Sequence, residues 1–180
     1  GLGDVYKRQA TIVWGLMLDP IDGLLNAIIG VFGIPPQPFL ISEHQALWCI
    51  IGIATWKGVA FWMLFLLAGL EDIPKQYYEA ASIDGAKTFD KFRFVTLPLL
   101  RRTILFVFVA DTAANFVLMV PMIILTKGGP LQSTNVLVYE AYRSGFFYQD
   151  WGRSLSIVTI LTTITLIVIG LQLLFLGDSR

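Results

Sequence analysis

The sequence predicts an all-α protein, a polytopic bundle of helices in a membrane. Three observations carry that prediction. Apolar residues make up 56% of the 180-residue chain and charged residues only 14%, with a mean hydropathy of +0.69. A soluble domain has about 45–50% and about 25%. Three apolar runs, Leu47–Leu70, Thr103–Thr126 and Ser154–Leu176, are each long enough for a tilted helix across an apolar layer of about 30 Å. Backbone polar groups have no water partner in lipid, so runs of this kind fold as helices.

The elements follow in chain order. Residues 1–9, GLGDVYKRQ, are polar and basic and give way abruptly to apolar sequence at Ala10. DVYKRQ matches one reading frame of a library transposon end, so residues 1–9 are read as a non-native, adaptor-derived segment outside the fold. Ala10–Leu18 is too short to span, has no small-residue cleavage site after it and runs into Asp19-Pro20. It is expected to be the end of a truncated span. In segment 19–46 the pairs Leu24/Leu25 and Ile28/Ile29 suit a short helix at the membrane interface, and Ile34-Pro35-Pro36 then breaks it. Leu47–Leu70 is the first full span, interrupted only by Lys57 between Trp56 and Trp62. A polar segment, 71–102, separates it from the second span, which contains Asp111 and Asn115. Segment 127–153 begins with the turn Lys127-Gly128-Gly129-Pro130 and leads to the third span, which carries no charge.

Basic residues orient the spans. Segment 19–46 has no Lys or Arg. Segment 127–153 has Lys127, Arg143 and Arg153, and segment 71–102 has Lys75, Lys87, Lys91, Arg93, Arg101 and Arg102. Positive charge gathers on the cytoplasmic side. Segment 71–102 and the C-terminus are therefore expected inside and the other two segments outside. Trp48 and Trp151 fall where indole rings favour the headgroup region.

The cytoplasmic segment reads as two short helices. Asp72 and Pro74 mark the start of the first, because the first turn does not need the N–H that proline lacks. Gly85 is placed to end it in a left-handed conformation. Phe89, Phe92 and Val95 recur on one face of the second, and Pro98 is expected to end or kink it. Ala80 and Ala81 allow a partner close to the backbone, and Glu79 offers a charge. A solvated connecting loop with ordinary caps accounts for the same residues, although a structured loop of this length is long for a simple connection.

The pattern Glu79-Ala80-Ala81, three residues, Gly85, nine residues, Val95-Thr96-Leu97-Pro98 resembles the EAA signature of ABC-importer permeases, Glu-Ala-Ala, x3, Gly, x9, Ile-x-Leu-Pro. Val95 in place of Ile is the one departure. The wider text from Leu67 to Leu100, the segment Asp19–Asn26, and Leu125–Tyr142 with Trp151–Val158 look like the sugar-importer branch, of the maltose and glycerol-phosphate type. The resemblance covers about residues 10–176. It implies a type I importer permease fold of which this is the C-terminal part, three full spans and the end of a truncated one.

It also implies function. Residues Glu79, Ala80, Ala81, Asp84 and Gly85 would form a coupling helix docked on a separate cytoplasmic ATPase subunit, with Val95, Leu97 and Pro98 fixing its exit. ATP binding would close the ATPase dimer and rock this chain and a second permease subunit to face outward. An extracytoplasmic solute-binding protein would deliver the cargo, a sugar or sugar derivative. ATP and magnesium would sit on the partner, leaving this chain with no cofactor and no catalytic residue. Membrane lipid is the remaining partner, and the neutral net charge gives no sign of nucleic acid.

Asp111 and Asn115 share one helix face. A carboxylate within a span must face protein or water, so they line a translocation cavity, touch the partner permease, or form an internal hydrogen bond that fixes packing. Ser156, Thr159 and Thr163 form a polar stripe open to the same two readings, helix packing or substrate contact. One cysteine, Cys49, and one histidine, His44, supply neither a disulfide nor a metal site. No Gly-rich phosphate loop with Lys-Ser/Thr is present. The alternatives are an ABC permease for another small solute, or an ion-coupled secondary transporter with Asp111 as its ion site. The latter leaves the EAA spacing unexplained.

Overall fold

The computed structural model describes the backbone of residues 2–177 and the side chains of residues 9–175. Every regular element among the described residues is helical: α1 Leu2–Met17, α2 Leu24–Val31, a 3₁₀ turn Phe39–Ile41, α3 Ala46–Glu71, α4 Lys75–Ile83, α5 Thr88–Lys91, α6 Leu97–Phe116, α7 Leu137–Tyr142 and α8 Trp151–Gly177. Three single π-turns intervene, Phe92–Thr96, Met122–Thr126 and Arg143–Phe147. Each is closed by a backbone N–H reaching five residues back, from Leu97 to Phe92, Lys127 to Met122 and Tyr148 to Arg143.

Among the described residues, α3 and α8 are long and apolar enough to cross a membrane. Only Ala46, Ile50 and Ile53 of α3 are buried, and Trp56, Val59, Met63 and Leu67 are exposed. A helix apolar on nearly every side is stable only where its surroundings are apolar too. The predicted span Thr103–Thr126 needs correction. The helix runs from Leu97 to Phe116, opens over residues 117–119, and resumes at Val120 into the π-turn. Arg101, Arg102 and Asp111 lie within α6, whereas the run Leu47–Leu70 is interrupted only by Lys57 and Ser154–Leu176 carries no charge. Of the two outcomes expected at Pro98, an end or a kink, the helix does not end there. The chain is continuously helical from Thr88 to Phe116, because the π-turn before Pro98 widens the ladder and makes room for its ring. At the other end, α1 runs without a break through the change of character at Ala10.

The chain divides into two compact units. One is Gly1–Trp56 with Phe116–Ile164, and the other is Lys57–Asn115 with Thr165–Arg180. In the first, Ile50, Met122 and Tyr139 form a small core against Met119, Ile123, Val136 and Tyr142. Helix α2 is held there by Asn26, which is buried. Its Nδ2 donates to the carbonyls of Pro20 (3.0 Å) and Gln37 (2.9 Å), and its Oδ1 accepts the Gln37 N–H at 2.8 Å. Leu24, Ile28 and Val31 on the opposite face are exposed. The turn after the second π-turn places Lys127 at φ +50 and Gly128 at φ +83. A Cβ on Gly128 would stand 2.7 Å from the Tyr139 ring, so backbone angle and packing both require glycine there. In the second unit α3 and α6 approach closely, and Phe65 stacks near Phe106 with centroids 5.6 Å apart.

Candidate functional site

The segment from Asp72 to Pro98 is built around α4. Pro74, extended at φ −61 and ψ 134, precedes its first turn. Its end is a Schellman cap: the Ala86 N–H reaches the Ala81 carbonyl (2.9 Å) and the Gly85 N–H reaches the Ser82 carbonyl (3.1 Å). That geometry needs a left-handed residue, and Gly85 supplies it at φ +79. The next helix is capped from inside, with the Asp90 carboxylate accepting the Lys87 N–H at 3.0 Å.

No residue of α4 is buried. Glu79 and Ala80 are exposed, Ala81 is half-buried, and Asp84 and Gly85 are exposed in the cap. The spaced residues beyond the turn do not share one environment. Phe89 and Phe92 are exposed, Val95 is half-buried, and Leu97 and Pro98 are exposed. The π-turn shifts the register by one residue midway along that face, which a count at three-residue spacing misses. The result is a helix with small residues and one carboxylate on an open surface, flanked by the exposed apolar side chains of Tyr77, Ile83 and Phe89. Such a surface suits a protein partner.

Two contacts that tie this segment together escaped the sequence reading. Tyr78 Oη lies 2.9 Å from Thr96 Oγ1, and Lys91 Nζ donates to Ser82 Oγ at 2.7 Å. Threonine within the Val-Thr-Leu-Pro stretch was the available signal, since Thr96 is the polar residue among apolar ones there and is nearly fully buried.

Asp111 accepts the Trp62 indole N–H at 2.6 Å on Oδ1, and Asn115 Nδ2 donates to the Asp111 backbone carbonyl at 2.9 Å. Asp111 is half-buried and Asn115 exposed. The indole bond is an internal tie between α3 and α6, and the second Asp111 oxygen is not part of it. Ser156, Thr159 and Thr163 each donate to the carbonyl four residues back, at 2.9, 2.9 and 2.8 Å. Their oxygens keep acceptor capacity. Gln172, not singled out from sequence, is buried and donates to Thr112 Oγ1 at 2.7 Å. An amide within an apolar run was its signal.

Segment 127–153 gathers a second polar cluster. Glu140 accepts from Asn135 Nδ2 (2.8 Å) and Arg153 Nη2 (2.6 Å), and pairs with Arg143 at 3.6 Å. Arg143 also donates to the Tyr148 hydroxyl. From the sequence, both arginines entered only as charges that orient the chain.

Comparison with known proteins matches residues 11–178 to the family described as binding-protein-dependent transport system inner membrane component. The sn-glycerol-3-phosphate transport system permease protein UgpA of Agrobacterium fabrum is 36% identical over 172 residues, 95% of this chain and 58% of that protein. The trehalose/maltose transport system permease protein MalF of Thermococcus litoralis is 33% identical over 162 residues, 88% of this chain and 54% of that protein. This chain thus spans a little over half the length of these relatives. Among solved structures, a bacterial ABC transporter involved in import of the acidic polysaccharide alginate superposes with a TM-score of 0.78 at 21% identity. The match covers 95% of this chain and 62% of that one, and it shows a shared helical fold.

Proposed function

Since this chain belongs to the family of binding-protein-dependent transport system inner membrane components, we propose that it forms part of a permease in an ATP-driven importer of a sugar or sugar derivative. The observation that carries the reading is α4: an exposed helix, rich in small residues, capped at Gly85 and followed by one helix unbroken from Thr88 to Phe116. A surface of this kind can seat in a groove of a second protein, and the long helix gives any push on it a direct route toward the membrane. The six basic residues of 71–102 favour the cytoplasm for this loop, where an ATPase subunit would meet it. Helix α8 would then end inside. Glu79, Ala80, Ala81, Asp84 and Gly85 are the proposed docking residues, and Val95, Leu97 and Pro98 set the exit.

The same proposal assigns hydrolysis, with ATP and magnesium, to the ATPase subunit. A second permease subunit completes the pathway and an extracytoplasmic binding protein loads it. The relatives named for glycerol-3-phosphate and for trehalose and maltose support a polyhydroxylated cargo. Asp111, Asn115 and the hydroxyls of Ser156, Thr159 and Thr163 are proposed to line the path, where acceptor oxygens suit hydroxyl donors.

Glu79→Lys and Gly85→Pro, made in the complete importer, test the reading. Both variants are expected in the membrane at normal levels but with the ATPase subunit lost or its hydrolysis uncoupled from uptake of the binding protein's ligand. Normal coupled uptake in both would sink the assignment.

A further inference from the structure

Helix α4 has no buried residue, so packing alone does not fix its angle to the helix that follows. A closed circuit of hydrogen bonds does. Ser82 Oγ donates to the Tyr78 carbonyl at 2.7 Å, and Lys91 Nζ donates to Ser82 Oγ at 2.7 Å. Thr96 Oγ1 donates to the Lys91 carbonyl at 3.4 Å and lies 2.9 Å from Tyr78 Oη. With the Thr96 proton directed at Lys91, the Tyr78 hydroxyl is the donor to Thr96, and the ring closes through four residues with each group used in one sense. A threonine in an ordinary α-helix reaches the carbonyl three or four residues back. Thr96 reaches the fifth, which the π-turn Phe92–Thr96 permits. The π-turn therefore points Thr96 at α4 while keeping the helix continuous into α6.

The alternative to a rigid joint is a pivot at the turn 84–87. That turn is open: Asp84, Gly85 and Lys87 are exposed, and a Cβ on Gly85 would meet no atom within 4 Å. The bonds of the turn itself, from the Ala86 and Gly85 N–H groups back to α4 and from the Lys87 N–H to Asp90, are local to one helix or the other, and none of them spans from α4 to the helix that follows.

We propose that the Tyr78–Thr96–Lys91–Ser82 ring is the rigid joint of the coupling loop, with Tyr78 and Thr96 as positioning residues that make α4 and the 88–116 helix move as one body. The proposal rests on the coupling reading above, and two separate readouts keep them apart. Spin labels at Gln76 and Arg102, both exposed, introduced in a Cys49→Ala background of the complete importer, report the angle between α4 and α6 as a distance distribution. In the unmodified loop the distribution is expected to be the same in nucleotide-free and ATP–vanadate-trapped protein. Tyr78→Phe and Thr96→Val should each broaden it about twofold, as a segment with fewer ties samples more angles, and the double variant should add little to Thr96→Val, which already lacks the Tyr78–Thr96 bond as well as the bond to the Lys91 carbonyl. Thr96→Ser, which keeps the hydroxyl, should restore the narrow distribution. Retention of the ATPase subunit on purification, which Glu79→Lys is expected to lose and Tyr78→Phe to keep, tests the coupling reading by itself. Equal widths with and without the Tyr78 hydroxyl, or a Thr96→Ser variant as broad as Thr96→Val, would overturn the joint.

Discussion

Segments 117–150 and 72–96 are made stiff in different ways. Segment 117–150 buries its ties. Thr134 and Ser144 are fully enclosed, Tyr139 and Ala141 nearly so, and Thr134 Oγ1 meets Thr126 Oγ1 at 2.7 Å and the Gly129 carbonyl at 2.8 Å. Segment 19–45 does the same through Asn26. The 72–96 segment leaves α4 and α5 without a buried residue and relies on a ring of hydrogen bonds near the surface. An open helix held by a few polar ties keeps its apolar side chains available, and under the proposed function it is this loop that receives another protein. Stability and coupling should therefore separate by region.

The largest loss is expected from Asn26→Ala. The side chain is buried and serves two carbonyls and one N–H, and each buried group left without a partner costs about 1–3 kcal/mol. A loss of about 3 kcal/mol overall is expected, read as a lower Tm of the purified transporter, with segment 20–45 newly open to protease. A change under about 1 kcal/mol would show that burial is not what stiffens this side.

Glu140→Ala comes next. Its side chain is 17% exposed and holds Asn135 and Arg153 together, with Arg143 at 3.6 Å. Removing it should cost about 2 kcal/mol, since hydrogen bonds to a charged group are worth about 1.5–3 kcal/mol. Arg153→Ala should cost less, about 0.5–1 kcal/mol, because the Arg153 side chain is 57% exposed and solvent screens it. Thermal unfolding of the two variants side by side checks the order. Equal losses would mean that the arginine, and not the carboxylate at the centre, organises the cluster.

Helices and caps were legible in the sequence because they follow from local rules. The runs Leu47–Leu70 and Ser154–Leu176 lie inside α3 and α8, and Gly85 stands in the left-handed cap its position required. The break at 117–119 was hidden because Val117, Leu118 and Met119 are as apolar as their neighbours. Pro121, which precedes the second π-turn, was the available signal, since a proline has no N–H for the carbonyl four residues back, here Val117, and its ring crowds that carbonyl. The π-turns themselves have no sequence rule as simple as a glycine cap, and each displaces the residues after it by one step around the helix. That is why Phe89, Phe92 and Val95 did not share a face, and why Tyr78 and Thr96, 18 residues apart, were not seen as partners. The ties in the 127–153 cluster are longer-range side-chain contacts of the same kind, which periodicity does not report.

The smallest expected effect concerns Asp19, at the entry to the Asn26 segment. Its Oδ1 accepts the Ile21 N–H at 2.9 Å and the Asp22 N–H at 3.0 Å. The Asp22 N–H first and the Ile21 N–H second hold the carboxyl below the usual carboxylate range. A carboxyl whose folded pKa is depressed stabilises the fold above its unfolded pKa, and that contribution fades as pH falls through the folded value. Protease protection of segment 20–45 should therefore weaken below about pH 4. Asp19→Asn keeps an acceptor oxygen but cannot titrate, so it should show less of this acid-dependent loss than the parent chain. Asp19 is half-buried and its bonds are local to one turn, so the difference should be visible in local proteolysis rather than in global Tm. If the two chains lose protection in parallel, the turn is held by the buried Asn26 amide alone, and the contrast between buried and surface ties becomes sharper still.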